Sequence, residues 1–165
     1  MAKIVTFGEL MLRLSPVGYN RLFQTESLEG SFGGGEANVA VSLAQMGDDA
    51  AFVSKFPQNM VGEAALRKLK AYGVNTSHIL RGGKRMGIYY MEKGASQRPS
   101  VCIYDREGSS FQTSKPEEYC WKEIMQGRSG STLRGSHRRW AKTWFPPASM
   151  PARLQKRSGQ QFPAI

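Results

Sequence analysis

The sequence predicts an α/β fold with a parallel sheet, and three observations carry that expectation. Short β-rich runs alternate with helical repeats from Lys3 to Leu80, in the order strand, helix, strand, helix, strand. Both helical repeats stop at a glycine, Gly47 and Gly73, the residue type that most easily leaves a helix. Beyond Leu80 the texture changes to two β segments around a polar loop, which fits an antiparallel pair outside the main sheet.

Taken in order, Lys3-Ile4-Val5-Thr6-Phe7 reads as a buried strand that stops at Gly8-Glu9, a glycine break carrying an acid. Leu10, Leu12 and Leu14 then alternate with Met11 and Arg13 as a second strand, Ser15-Pro16 opens a loop, and residues 21–25 fit a short third strand. From Glu36, the apolar Val39, Leu43 and Met46 recur at helical spacing, with Ala40 and Ala44 close by, and predict a helix buried through that stripe. Residues 50–56 form the next strand. A helix over about residues 61–72 buries Ala65, Leu66, Leu69 and Tyr72, and residues 78–80 return to strand. Residues 86–91 and 100–104 are the antiparallel pair. Ser114-Lys115-Pro116-Glu117-Glu118 starts a short helix, with proline early and acids in the first turn, that runs through Trp121 to about Met125.

Composition narrows the function classes. At 165 residues the chain has the size of one ordinary domain, and its apolar content is that of a globular protein. No run approaches the roughly 18 apolar residues of a membrane span, and the start lacks a signal-peptide pattern, so the cytoplasm is the expected compartment. Cys102, Cys120, His78 and His137 share no metal-ligand spacing, and buried free thiols are expected. The net charge of +10 first suggests a nucleic-acid binder. Its distribution argues otherwise: all 13 acidic residues precede position 127, whereas 8 of the 23 basic residues follow it. The excess belongs to residues 127–165, which hold no valine, one isoleucine, and neither a helical nor a strand period. The organisation expected is therefore a domain portion at 1–126 and a basic, atypical tail at 127–165.

Phe32-Gly33-Gly34-Gly35-Glu36-Ala37-Asn38-Val39-Ala40 is the stretch with most chemical promise. Consecutive glycines let the backbone come close to a ligand, and the helix that follows aims unpaired N–H groups at it. On these residues alone, a plain glycine turn explains the run as well as a binding loop does.

Several spaced positions decide between the two. Gly33-Gly34-Gly35-Glu36-Ala37-Asn38-Val39-Ala40, with Gly47 and Gly62 behind it, resembles the N-terminal signature of the ribokinase/PfkB family of carbohydrate kinases. The opening run from Gly8-Glu9 to Ser15-Pro16, and the segments Gly94-Ala95-Ser96 and Ile103-Tyr104-Asp105-Arg106, resemble the 2-keto-3-deoxygluconate kinases within it. The likeness runs from about residue 3 to 126. It implies a three-layer α/β/α ribokinase-like sandwich, incomplete here, with a small β lid. It implies ATP and Mg2+ as cofactors, transfer of the γ-phosphoryl group to the C6 hydroxyl of 2-keto-3-deoxygluconate, and a homo-oligomer built through the lid. Carried over by position, Gly34 and Gly35 meet the sugar through the backbone and Asn38 through its amide; Tyr89 reaches it from the lid, and Tyr104 with Arg106 meets its keto-acid end. The residue chemistry suits those roles, since guanidinium grips a carboxylate in a planar, two-pronged way and hydroxyls need directional partners. Without the resemblance, Arg106 reads equally well as a solvated residue in a strand-end turn, and aromatic strand residues such as Tyr89 and Tyr104 are more often packing.

The second half of the reaction is not legible. The resemblance places the catalytic base and phosphate cradle in a C-terminal Gly-Ala-Gly-Asp motif, which does not occur in this sequence, and neither does a Walker-type GxxxxGK[ST]. No catalytic residue and no nucleotide site are therefore assigned. A slip of the reading frame near Gln126-Gly127 is one expectation for the tail: codons can be chosen for residues 127–145 that, read from the third base of the Gly127 codon, spell QKWFHFAGITPPLGEDLV, a family-like strand and loop. A natural basic extension and a cloning scar are the alternatives. Two further function readings stand beside the acidic-sugar kinase. One is a fructokinase-like enzyme, and the other a non-catalytic fragment whose Arg138, Arg139, Lys142, Trp140 and Trp144 bind nucleic acid.

Overall fold

The computed structural model describes residues 3–127 and 130–133. Arg138, Arg139, Trp140, Lys142, Trp144 and His137, and with them the nucleic-acid reading of the tail, lie outside the described residues.

The elements in chain order are β1 (Lys3–Phe7), β2 (Met11–Pro16), β3 (Leu28–Gly33), α1 (Gly35–Gln45), β4 (Asp49–Phe56), α2 (Met60–Ala71), β5 (Ile79–Arg81), β6 (Ile88–Glu92), β7 (Val101–Asp105), a 3-10 turn at Pro116–Glu118, α3 (Trp121–Met125) and β8 (Gly130–Leu133). Two sheets result. The main sheet runs β5-β4-β1-β8 with every pairing parallel, and the lid sheet runs β3-β2-β6-β7 with β2 and β6 parallel and the outer pairs antiparallel.

The main sheet is covered on both faces, as a parallel sheet requires. On one face Phe52 and Phe56 pack against Ala37 and Ala40 of α1 and against Ala65 and Leu69 of α2, with Leu10, Val74, Ile79 and Met86 completing the core. On the other, Phe7 stands one residue out of phase with Phe52 and meets an aromatic cluster from the C-terminal segment. Its ring lies 5.1 Å from Phe111, 5.7 Å from Tyr119 and 5.3 Å from Trp121, the last two edge-on, the arrangement ring quadrupoles favour. The expected α/β fold is present, and the expected antiparallel pair, β6 and β7, is half of a small mixed lid sheet.

Several local expectations are corrected. The third strand is Leu28–Gly33 rather than 21–25, where the Gln24 N–H turns back to the Arg21 carbonyl at 3.0 Å and Phe23 is exposed with φ 62°. Strand β2 continues through Ser15-Pro16 because β3 pairs with it as far as Leu28. Helix α1 buries Ala37 and Ala40 and turns Val39 (41% exposed) and Met46 (80% exposed) outward, so small residues rather than the larger stripe face the sheet. The helix expected over 114–125 is two pieces. Tyr119 is extended between them, its buried hydroxyl donating to Ser114 Oγ at 3.1 Å, and that burial breaks the helical path. Cys102 and Cys120 are free but exposed, not buried. A strand does form after residue 127: β8 pairs in parallel with β1 from Ile4 to Phe7, filling that strand's open hydrogen-bonding side.

Candidate functional site

The glycine run lies where the two sheets meet. Gly33 ends β3, Gly34 is the extended N-cap of α1 (φ −177°, ψ 137°), and Gly35 opens the helix. Close approach explains the glycines here: a Cβ on Gly34 would overlap the Glu9 carbonyl, and one on Gly33 would overlap the Tyr89 hydroxyl. The run is thus clasped between the loop after β1 and the first lid strands. Asn38 sits one turn into α1, exposed, its N–H bonded to the Gly34 carbonyl at 2.8 Å. It lines a cavity of about 540 Å³ with Arg13, Ser31, Lys68 and Tyr72.

The lid supplies a row of side chains across its strands. Ser31 opposes Arg13, Arg13 opposes Tyr89, and Tyr89 opposes Tyr104, so all four share one face. Arg13 Nε donates to Ser31 Oγ at 2.8 Å, and the Tyr89 and Tyr104 rings lie 5.9 Å apart. Burial pushes the Tyr89 phenol above its ordinary pKa, with the charge of Arg13 acting against the shift. Tyr89 therefore stays a neutral hydroxyl that can both donate and accept.

Arg106 follows β7 directly and turns toward the loop after β1. Its Nη2 lies 2.6 Å from Glu9 Oε2, while Ser109 Oγ donates to Glu9 Oε1 at 2.6 Å. With its amide turned to suit the network, Gln112 accepts from Arg106 Nε at 3.0 Å and donates to the Arg106 carbonyl at 2.9 Å. Gly87 precedes β6 here; a Cβ would come within 2.5 Å of Glu9 Oε1 and 3.3 Å of Arg106 Cβ. Burial raises the Glu9 carboxyl above the ordinary glutamate range, against the lowering effects of Ser109, Arg106 and Arg85. Glu9 is the residue that sequence reasoning underrated. Its only signal was an acid inside an otherwise apolar stretch, and such acids are seldom buried unless paired.

The sequence-expected residues thus fall into linked groups. Gly33, Tyr89 and Tyr104 are in contact along the lid row, Asn38 shares a cavity with Arg13 and Ser31 of that row, and Arg106 is held by Glu9, whose own carbonyl abuts Gly34. Among the described residues no group of three His, Cys, Asp or Glu side chains could hold a metal ion, and no helix is long and apolar enough to cross a membrane.

A parallel sheet flanked by helices, with a second β sheet meeting it at a glycine-capped helix, is the α/β architecture that the resemblance implies, and the comparisons make the class specific. The family model for pfkB family carbohydrate kinases matches residues 1–146, and the chain belongs to that family. The match extends 20 residues past the point at which the sequence likeness was expected to stop. Over 117 residues the chain is 39% identical to a 2-dehydro-3-deoxygalactonokinase of Haloferax volcanii, a stretch that is 71% of this chain and 37% of that protein. The crystal structure of 2-dehydro-3-deoxygluconokinase from Thermotoga maritima superposes with a TM-score of 0.78 at 52% identity, covering 79% of this chain and 40% of that one. A sugar kinase of Pyrococcus horikoshii solved in complex with ATP gives a TM-score of 0.66 at 26% identity, covering 74% of this chain and 40% of that one. The chain spans about two fifths of the length of these relatives.

Proposed function

We propose that residues 1–126 are the sugar-binding portion of an ATP-dependent kinase for 2-keto-3-deoxygluconate, the acceptor being its C6 hydroxyl. The observation that carries this reading is Arg106, a guanidinium held by Glu9, the residue whose carbonyl abuts Gly34 of the glycine run, and a sugar acid's carboxylate needs such a cation. In this reading Gly34 and Gly35 meet the sugar through their backbone, Asn38 through its amide, and Tyr89 through its hydroxyl, while Tyr104 with Arg106 meets the keto-acid end. The names of the Haloferax and Thermotoga relatives support a keto-deoxy sugar acid as the substrate class.

The groups around the glycine run do not fit a polyphosphate. They are acceptors: the Glu9 carbonyl under Gly34, the buried Glu9 carboxylate, and the Glu36 carboxylate in the first turn of α1, against Gly8. Acids at that helix N-terminus would repel a phosphate. ATP and Mg2+ are accordingly proposed to be held by parts of the kinase other than these residues, and no step is routed through them. Homo-oligomerisation through the lid is proposed on the exposed apolar Val101 and Ile103 of β7.

A thermal-shift series tests the substrate class. Keto-deoxy sugar acids are expected to raise the melting temperature of the chain, neutral hexoses to leave it unchanged, and Arg106→Lys to abolish the difference. A shift with fructose rather than with the acids would move the reading to a fructokinase-like enzyme.

A further inference from the structure

We infer that Glu9 is the positioning residue for Arg106: a carboxylate in the loop after β1, pinned by Ser109 and abutting Gly34 through its own carbonyl, that sets where the guanidinium meets a substrate's carboxylate. The inference rests on the proposed role of Arg106 and goes beyond it, since Glu9 itself touches no substrate.

Three features of the geometry carry it. The pair is anchored on one side only: the Glu9 side chain is 3% exposed and the Arg106 side chain 25%, so the acid is the fixed member and the guanidinium the one a ligand can reach. Arg106 is also gripped along one edge. Gln112 takes its Nε–H and Glu9 Oε2 lies against Nη2, which leaves the Nη1 pair and the second Nη2 hydrogen of a five-donor group for a ligand. Finally, the lid is shaped around the pair, since any side chain at Gly87 would enter the space of Glu9 Oε1 and Arg106 Cβ. Glu9 thus ties the backbone of the glycine run to the guanidinium through one residue.

Charge and position predict opposite results for Glu9→Gln. Removing the acid leaves Arg106 with more net positive charge, and if charge alone mattered a sugar acid would bind more tightly. If Glu9 acts by position, binding weakens, because Arg106 regains the freedom of a long side chain and must be ordered by the ligand.

The test uses the full 165-residue chain. Nitrogen-15 NMR follows solvent exchange of the Arg106 Nε–H, its signal assigned by its loss in Arg106→Lys, and calorimetry follows binding of 2-keto-3-deoxygluconate. Glu9→Gln is expected to speed the exchange and to weaken keto-acid binding, each by about tenfold or more. Ser109→Ala, which leaves the acid in place and removes one hydrogen bond to it, is expected to give roughly threefold changes in the same direction, and serves if Glu9→Gln does not fold. Equal or tighter binding in Glu9→Gln, or exchange unchanged in the variants that fold, overturns the inference. If Arg106→Lys binds the acid as well as the native chain does, or the native chain does not bind it, the reading of Arg106 falls and the inference with it. If Arg106→Lys loses binding while Glu9→Gln keeps it, only the inference falls.

Discussion

Glu9 shows how much one side chain can be asked to do when it is buried among both polar and apolar neighbours. Desolvation disfavours its ionised form, while Ser109, Arg106 and Arg85 favour it, and burial prevails, so the folded state holds the proton more tightly than the unfolded chain does. The sign of the linkage follows. Just above the ordinary glutamate pKa of about 4.3, the native state binds more protons than the unfolded state, so the contribution of Glu9 to stability falls as pH rises through that window. Asp105 and Glu118 act in the opposite sense. Arg85 and Lys55, respectively, lower their pKa values, so their contributions are present above the ordinary carboxylate range and fade as pH drops through the lowered values. Comparing the native chain with Glu9→Gln isolates the first effect. Denaturant melts between pH 4 and 7 are expected to show the native chain losing stability relative to the variant as pH rises through the window above 4.3. A relative gain would mean that Arg106 outweighs burial and that Glu9 is ionised well below the window.

At the scale of elements, α1 separates what the sequence displays from what it conceals. Its length, its start in the glycines and its stop before Gly47 are all visible as pattern, and the structure has them at Gly35–Gln45 with Gly47 at φ 92°. Its buried face is not visible. Hydrophobic size marks Val39, Leu43 and Met46, but Ala37 and Ala40 face the sheet, because a short side chain lets the helix lie close to β1 and β4. Ala40→Leu should therefore overpack that contact and cost about 1–3 kcal/mol, whereas Val39→Ala should change stability by less than about 0.5 kcal/mol. Urea denaturation of the two variants checks both, and a larger loss at Val39 would restore the sequence-based stripe. The same contrast runs through the site. Gly34 and Asn38 stand out in the sequence as candidates because they belong to a spaced motif, and Tyr89 because the family resemblance implies it. Glu9 does not, because its meeting with Ser109 and Arg106 joins chain segments about a hundred residues apart, and Ser109 and Gln112, though close to Arg106 in the chain, belong to no motif or local period. Tyr119 likewise ended a helix by sending its ring into the Phe7 cluster, a tertiary gain that the local helix signals do not contain.

The whole molecule joins a well-specified sheet and lid to a stretch whose sequence follows other rules. We propose the boundary near residue 127, with residues 127–165 encoded out of frame relative to a longer kinase gene. The support is compositional: all acidic residues lie before the boundary, and codons can be chosen for the residues after it whose shifted reading is family-like over about 18 positions. Two findings press the other way, the family match to residue 146 and the strand β8 beside β1. The strand can be reconciled with a slip, because a parallel partner for β1 needs only backbone groups over Gly130–Leu133, which almost any short extended sequence supplies; the family match stands against it. The side chains that follow decide function, and the Gly-Ala-Gly-Asp motif expected of a kinase is not among them. The 165-residue polypeptide on its own is therefore expected to bind a keto-deoxy sugar acid without phosphorylating it. Its outward Val39 and Met46 should also make it prone to associate at high concentration. A coupled ATP-consumption assay with 2-keto-3-deoxygluconate, run on this polypeptide and on one continued in the shifted frame, separates the cases. Turnover only in the second supports the slip. Turnover by the 165-residue polypeptide would refute it and would place the phosphate cradle within these residues.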